Sequence, residues 1–252
     1  MTVSTSQISL HVDEAGIALL HLRDEERQNA LGTAFVEQLT EALHTLAEHP
    51  TVKVCLVRGT SKVFCSGGDR ELLIKLAEGE IVASDIMLSR AMLEVPIPMI
   101  AVMEGHAVGG GLTLGLCCDL VMMARESRYG CTFMNMGFTP GMGTTRLLSL
   151  AVGEYIAAEM MLGGKFYRGK DFEGKALFNT ILPKAELWDT AQDMAARIAE
   201  KPRYALELLK RDLSLKKRAL FETARTSEVA MHQVCFSRPE LAEMIRERFV
   251  SE

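Results

Sequence analysis

The sequence lacks any run of like charges and any basic stripe: 33 Asp plus Glu stand against 28 Lys plus Arg, for a net charge of −5 over 252 residues. That excludes the electrostatic footprint of a protein drawn to nucleic acid or to an anionic membrane, and leaves small molecules and proteins as partners. None of the six cysteines (Cys55, Cys65, Cys117, Cys118, Cys131, Cys235) has paired CxxC spacing, and residues 1–16 hold no apolar h-region. Neither a zinc site nor a secretory signal is indicated, so reduced, buried thiols in a cytoplasmic protein are the expectation, with no metal and no cofactor. Tryptophan occurs once against 15 methionines, which suits a pliable apolar interior.

A long uninterrupted hydrophobic run is also missing. The most apolar stretch, Met99 to Ala124, is broken by Glu104, His106 and Asp119. What remains is too short and too glycine-rich to cross ~30 Å of hydrocarbon, and it reads as strand, tight turn and buried helix.

What is present is an alternation of strand and helix. IALLHL at Ile17 to Leu22 reads as a strand, Phe35, Leu39, Leu43 and Leu46 recur at helical spacing, and VKVCLVRG from Val52 to Gly59 reads as a buried strand. These three make a right-handed βαβ unit. The pattern repeats with a strand from Met99, a turn and helix from Gly109, and a strand from Leu120. After about Thr144 the spacing turns helical over Arg146–Leu162, Ala185–Glu200, Arg203–Leu213 and Leu220–Phe236, with no further parallel-sheet repeat. The expectation is an α/β core over residues 1–183 followed by a helical C-terminal region over 184–252.

Two glycine clusters follow buried strands: FCSGGDREL from Phe64 and GHAVGGGLTLGLCCD from Gly105. Glycine lets a backbone N–H approach a ligand, and a helix start adds free donors and partial positive charge. Neither cluster has GxGxxG spacing and no Lys-Ser or Lys-Thr follows, so dinucleotide and P-loop readings fail. A pair of backbone donors for a developing oxyanion fits better.

In chain order, QNALG, FCSGGD, PMIAVMEGHAVGGG, CCDLVMMARESRYG, MGFTPGMGTTRLL and LGGKFYRGKDFEGKALFNTILP resemble the crotonase (enoyl-CoA hydratase/isomerase) superfamily. The resemblance implies a ββα spiral core. It also implies that the N–H groups of Gly68 and Gly110 hold the thioester oxygen of an acyl-CoA or acyl-carrier substrate and stabilise an enolate. Members are usually trimers or dimers of trimers, so a homotrimer or hexamer is implied.

At the two positions where hydratases of this pattern carry water-activating glutamates, this chain has Thr113 and Phe133. Neither serves as a base near neutral pH. Decarboxylation needs no such base, because loss of CO2 itself generates the carbanion that the oxyanion hole stabilises, and Phe133 removes a charge that would repel a substrate carboxylate. Thr113 and Phe133 are therefore expected in the substrate pocket. In NMGFTPGMG, RESRYG and VAMHQVCF the chain further resembles the decarboxylating hydratase-like enzymes of polyketide β-branching cassettes. Those act on a 3-methylglutaconyl group on an acyl-carrier protein.

His232, with Val229 three before it and Phe236 four after, is expected on an apolar stripe. The resemblance implies that it holds the substrate carboxylate and protonates the dienolate. The same resemblance points to a lysine in the helix after FCSGGD, for which Lys75 is chosen over Arg70, although Glu71 could simply pair with it on the helix surface. His106 is read as structural. Lys62, Arg146, Lys165, Arg168 and Lys170 are candidates for meeting CoA phosphates or an acidic carrier protein. The alternatives are a hydratase or isomerase with non-standard residues and a non-catalytic carrier-binding member.

Overall fold

The computed structural model describes residues 2–81, 85–176 and 178–249. In chain order the elements are β1 (Thr2–Ser4), β2 (Ile8–Val12), β3 (Ile17–Leu22), α1 (Thr33–Glu48), β4 (Val54–Arg58), β5 (Val63–Cys65), α2 (Arg70–Ala77), α3 (Asp85–Glu94), β6 (Met99–Met103), β7 (His106–Val108), α4 (Gly110–Cys117), β8 (Leu120–Ala124) and β9 (Arg128–Gly130). They continue with α5 (Thr144–Val152), α6 (Glu154–Gly163), β10 (Phe166–Arg168), β11 (Thr180–Leu182), α7 (Lys184–Ala199), α8 (Arg203–Leu213), α9 (Leu215–Phe236) and α10 (Leu241–Arg248). Single turns of 3-10 helix occur at Phe133–Met136 and Gly169–Phe172.

The strands form two sheets, one in the order β1-β2-β3-β4-β6-β8-β11 and one in the order β10-β9-β7-β5. From β3 to β11 the larger sheet is parallel, with Leu56 beside Ile100 and Ile100 beside Leu120. The chain visits the sheets alternately, β4 then β5, β6 then β7, β8 then β9, with helices between turns. That is the ββα spiral implied by the sequence.

Continuous apolar runs at β4, β6 and β8 suit strands covered on both faces. Cys55, Val57, Met99, Ala101, Val121 and Met123 join the main core, whereas Val54, Leu56, Ile100, Val102, Met122 and Ala124 face α7. There α7 presents Leu187 and then Ala191, Ala195 and Ala199, three small residues at every fourth position that let the helix lie close. The only tryptophan, Trp188, receives the guanidinium of Arg58 over its ring at 4.0 Å, while Arg58 also grips Glu104 through two bonds of 2.5 and 3.0 Å.

Lys217 on α9 donates to the carbonyls of Leu116 and Cys118 at the C-terminus of α4, at 3.0 and 2.5 Å. Nearby, the buried Lys210 on α8 bonds Asp119 and the Ile97 carbonyl, both at 2.8 Å. Cations there complement the negative end of the α4 dipole and moor the C-terminal helices to the core.

Three sequence expectations change. The helix over Arg146–Leu162 is two helices, because Gly153 adopts φ +80° and ends α5 before α6 begins. A further parallel strand does follow Thr144: β11 pairs with β8, but with three residues it is too short to show a period. The N-terminal β1–β2 hairpin and α10 were not anticipated. Among the described residues no helix is long and apolar enough to cross a membrane.

Candidate active site

Both glycine clusters end strands of the smaller sheet and meet at one place. Leu31 and Gly68 form an isolated parallel bridge, whose bonds run from Leu31 N–H to the Gly67 carbonyl and from Asp69 N–H to the Leu31 carbonyl. A parallel bridge of this kind uses the groups flanking Gly68 and leaves the Gly68 N–H on the other side of the strand. Gly67, at φ +90°, has no room for a side chain: a Cβ there would lie 2.6 Å from the Val108 carbonyl oxygen and 3.5 Å from the Gly110 nitrogen. The first turn is thus packed against the start of α4, where Gly110 carries one of the helix N–H groups that lack an intrahelical acceptor. Its N-cap, Gly109, supplies no side chain to satisfy them.

These turns open on a cavity of about 1140 Å³, lined by Gly68 and Gly110 and, among the apolar side chains, by Leu31, Leu72, Leu76, Phe133, Phe138 and Met142. Phe133 is thus on the wall of this cavity. Its ring meets Phe138 edge-on at 5.9 Å between centroids.

Thr113 does not line the cavity and is corrected. Its side chain is fully buried, with Oγ1 bonded 3.2 Å to the Gly109 carbonyl and 2.6 Å to Thr144 Oγ1, whose own partner is the Gly141 carbonyl. The hydroxyl is occupied by structure and is unavailable to substrate. Lys75 is corrected as well. It is exposed in the last turn of α2 and is not part of the cavity wall, to which α2 contributes Arg70, Leu72, Leu73 and Leu76. Of the two cations weighed for the carboxylate, Arg70 is the one on the wall, with Nη2 donating to the Arg246 carbonyl at 3.1 Å.

His232 lines the cavity of its own chain and is buried, at 7% exposure. It sits between Phe138 and Phe236, both edge-on, with centroids at 6.3 and 5.4 Å. Nε2 lies 2.9 Å from the Thr139 carbonyl oxygen, which can only accept, so Nε2 carries a proton. Nδ1 is buried and has no hydrogen-bond partner among the described residues. The buried face of α9 runs Phe221, Ala224, Glu228, His232, and Val229 of the expected stripe is instead exposed.

The acidic side chains on the wall are otherwise engaged or at its exposed rim. Asp69 caps α2 through the amides of Glu71 and Leu72, Glu126 accepts from the Lys184 amide, and Glu26 and Glu71 are exposed. His106 also borders the cavity, with Nδ1 accepting from the Arg128 amide at 2.9 Å. Arg168 is the one of the five proposed carrier-facing cations that reaches the wall, while Lys165 pairs with Glu159 at 3.4 Å. Sequence reasoning missed Glu228, a fully buried carboxylate one helical turn before His232.

The enoyl-CoA hydratase/isomerase family profile matches residues 13–250. The bacillaene synthase decarboxylase PksI of Bacillus subtilis is 34% identical over 241 residues, 96% of this chain and 97% of that protein. Among solved structures, the ECH2 decarboxylase domain of CurF from Lyngbya majuscula is 35% identical with a TM-score of 0.89, covering 96% of this chain and 99% of that one. The structure of a dehydratase/decarboxylase enzyme couple involved in polyketide β-branching gives 34% identity and a TM-score of 0.91, covering 96% and 98%.

Proposed function

The chain belongs to the enoyl-CoA hydratase/isomerase family, and from that premise we propose that it decarboxylates a 3-methylglutaconyl-type thioester carried on an acyl-carrier protein or CoA, giving a 3-methylcrotonyl-type thioester in polyketide β-branching. One observation carries this reading. The cavity that holds the two backbone donors has Phe133 and a walled-off Thr113 where a hydratase needs glutamates, and its one buried ionisable wall residue among those described is His232. The similarity to PksI and to the CurF domain, over nearly the whole chain, supports the same reaction class.

In the proposed reaction the thioester oxygen rests between the N–H groups of Gly68 and Gly110. The bond to the carboxylate carbon breaks, CO2 leaves, and the electron pair spreads through the conjugated double bond onto that oxygen as a dienolate. Apolar walls favour this step, because a carboxylate is stabilised by water and the departing charge is dispersed. His232 then delivers one proton to carbon. Nε2 stays bonded to the Thr139 carbonyl, so the proton delivered is one that Nδ1 takes up from solvent in the substrate complex, making the ring an imidazolium that returns to the neutral Nε2–H form once carbon is protonated. Among the arginines on the wall, Arg70 of α2 is the one assigned to meet the substrate carboxylate.

Six free cysteines support a reducing, cytoplasmic setting. Tyr204, Leu208, Leu213 and Leu215 are exposed on α8 and the start of α9, at 70, 54, 70 and 59%. That apolar patch supports association into a homotrimer or hexamer; light scattering on the purified protein tests it, and a monomer mass overturns it.

The function is tested by mass spectrometry of a carrier protein loaded with 3-methylglutaconyl. Loss of about 44 mass units, one CO2, is the expected result. Gain of a water mass would assign a hydratase, and an unchanged acyl mass with retained binding would assign a non-catalytic carrier-binding protein.

A further inference from the structure

Helix α9 holds one short segment of the cavity wall at two points. His232 donates through Nε2 to the Thr139 carbonyl, and four residues earlier Glu228 accepts three bonds at the far end of the same segment. Oε2 of Glu228 takes the Gly143 amide at 2.7 Å, and Oε1 takes the Thr145 amide at 2.9 Å and the Thr145 hydroxyl at 2.7 Å. Gly143 is the N-cap of α5 and has no side chain, so a carboxylate from another helix does the capping. A fully buried charge is tolerable there because three donors and the positive end of α5 surround it.

Between the two points lies Met142, a non-glycine residue at φ +63° with its thioether over the α4 start: a Cβ on Gly110 would stand only 2.6 Å from its Sδ. A long side chain adopts that backbone conformation only where the surroundings over-determine it. Gly143 beside it is at φ +88°, and its amide is the one that Glu228 holds.

We propose that Glu228 is a positioning residue for the active site, which clamps residues 139–145 so that the Thr139 carbonyl fixes the tautomer and aim of His232 and Met142 packs over the oxyanion donor Gly110. The inference rests on the decarboxylase reading for its kinetic consequence but not for its structural one. Glu228 touches neither cavity nor substrate and acts through the segment it holds. A displacement of about 1 Å in such a frame costs about 100-fold in rate. The loss falls mainly on kcat, because Leu31, Leu72, Leu76 and Phe133, which line the rest of the acyl cavity, lie outside the clamped segment.

The test uses Glu228→Gln and Glu228→Ala in the full chain, with histidine ¹⁵N-labelled. Long-range ¹H–¹⁵N spectra of the unmodified protein are expected to show His232 as the Nε2–H tautomer, identified by its loss in His232→Gln. Glu228→Gln keeps an acceptor for Thr145 but turns an NH₂ group toward the Gly143 amide, so a mixed His232 signature and an intermediate kcat are expected. Glu228→Ala is expected to lose the signature and to lower kcat about 100-fold with KM within about threefold. Lys210→Met, which removes a buried ion pair elsewhere, is the control: it lowers Tm and leaves the His232 signature unchanged. Should Glu228→Ala not fold, Glu228→Gln alone decides. A variant that retains the wild-type His232 signature and kcat overturns the proposal. A changed signature in a protein that releases no CO2 supports the clamp while refuting the decarboxylase reading.

Discussion

Phe133 stands with its ring against Gly109: its Cζ is 3.5 Å from the place a Cβ would occupy on that glycine, the residue before the donor Gly110. The spot beside the proposed oxyanion donors is therefore filled by hydrocarbon, where a hydratase would need a water-activating acid. Phe133→Glu would place a carboxylate close to the substrate's own. Two such charges ~4 Å apart at an effective dielectric of about 20 repel by about 4 kcal/mol. A fall of at least ~100-fold in kcat/KM for CO2 release is expected, whereas Phe133→Leu stays within about tenfold. A ¹³CO2 release assay on the two variants measures the difference.

A side chain at Gly110 would have to displace the ends of two neighbouring side chains. The Cβ of Gly110→Ala would lie 2.6 Å from Met142 Sδ and 2.9 Å from Leu31 Cδ1. Overpacking of this kind costs about 1–3 kcal/mol, and a shifted donor costs about 10²–10³ in kcat. Thermal unfolding and single-turnover decarboxylation of Gly110→Ala should show both losses. An unchanged turnover would remove Gly110 from the oxyanion hole.

The two cations of α2 should behave differently. Arg70 lines the cavity and Lys75 is exposed outside it. Arg70→Ala is expected to raise KM for the carboxylated thioester about tenfold, consistent with loss of one charge-assisted contact. Lys75→Ala should change neither KM nor kcat by more than about twofold. Steady-state kinetics of the pair decides, and a collapse of activity in Lys75→Ala would restore that residue to the site.

Burial pushes the thiols of Cys55, Cys65 and Cys131 up to about 12 and that of Cys117 to about 11, with Cys118 also well above the usual value near 9. The folded protein thus binds these protons more tightly than the unfolded chain does. Their contribution to stability is complete below pH ~9 and is lost as pH rises from there through the folded values of about 11 to 12. Urea midpoints should be flat with respect to these groups up to pH ~9 and fall steeply above it. At pH 8, Ellman's reagent should titrate Cys235, the half-exposed thiol, and reach all six only in denaturant.

Much of the spiral was legible because buried parallel strands write themselves as continuous apolar runs. Val54–Arg58, Met99–Met103 and Leu120–Ala124 fall within the predicted strands. The glycine turns were legible too, since the close approach of Gly67 to the start of α4 gives them a steric cause, although the short strands they end, β5 and β7, were not. Which way a side chain faces was harder. Every residue of α4 is buried, so no polar face marks which side meets the cavity, and Thr113 was assigned to the wrong one. In α2 the run Leu72, Leu73, Ile74, Lys75, Leu76 is too nearly apolar, over too few turns, to orient Lys75. Glu228 escaped notice because its partners are main-chain amides more than 80 residues away, and amides leave no trace in a sequence pattern.

The distance along the chain between donors and proton carrier has a consequence for synthesis. Gly68, Gly110 and the Thr139–Thr145 segment are all translated before α9, which brings Glu228 and His232 together. At about 5–20 residues per second, the ~90 residues from Met142 to His232 take roughly 5–20 s to emerge. For that interval the nascent chain has the residues of the proposed thioester cradle but neither the proposed acid nor the proposed clamp. In the proposed mechanism, cradle and acid are therefore separated in synthesis as well as in sequence, and the site is complete only once α9 has emerged.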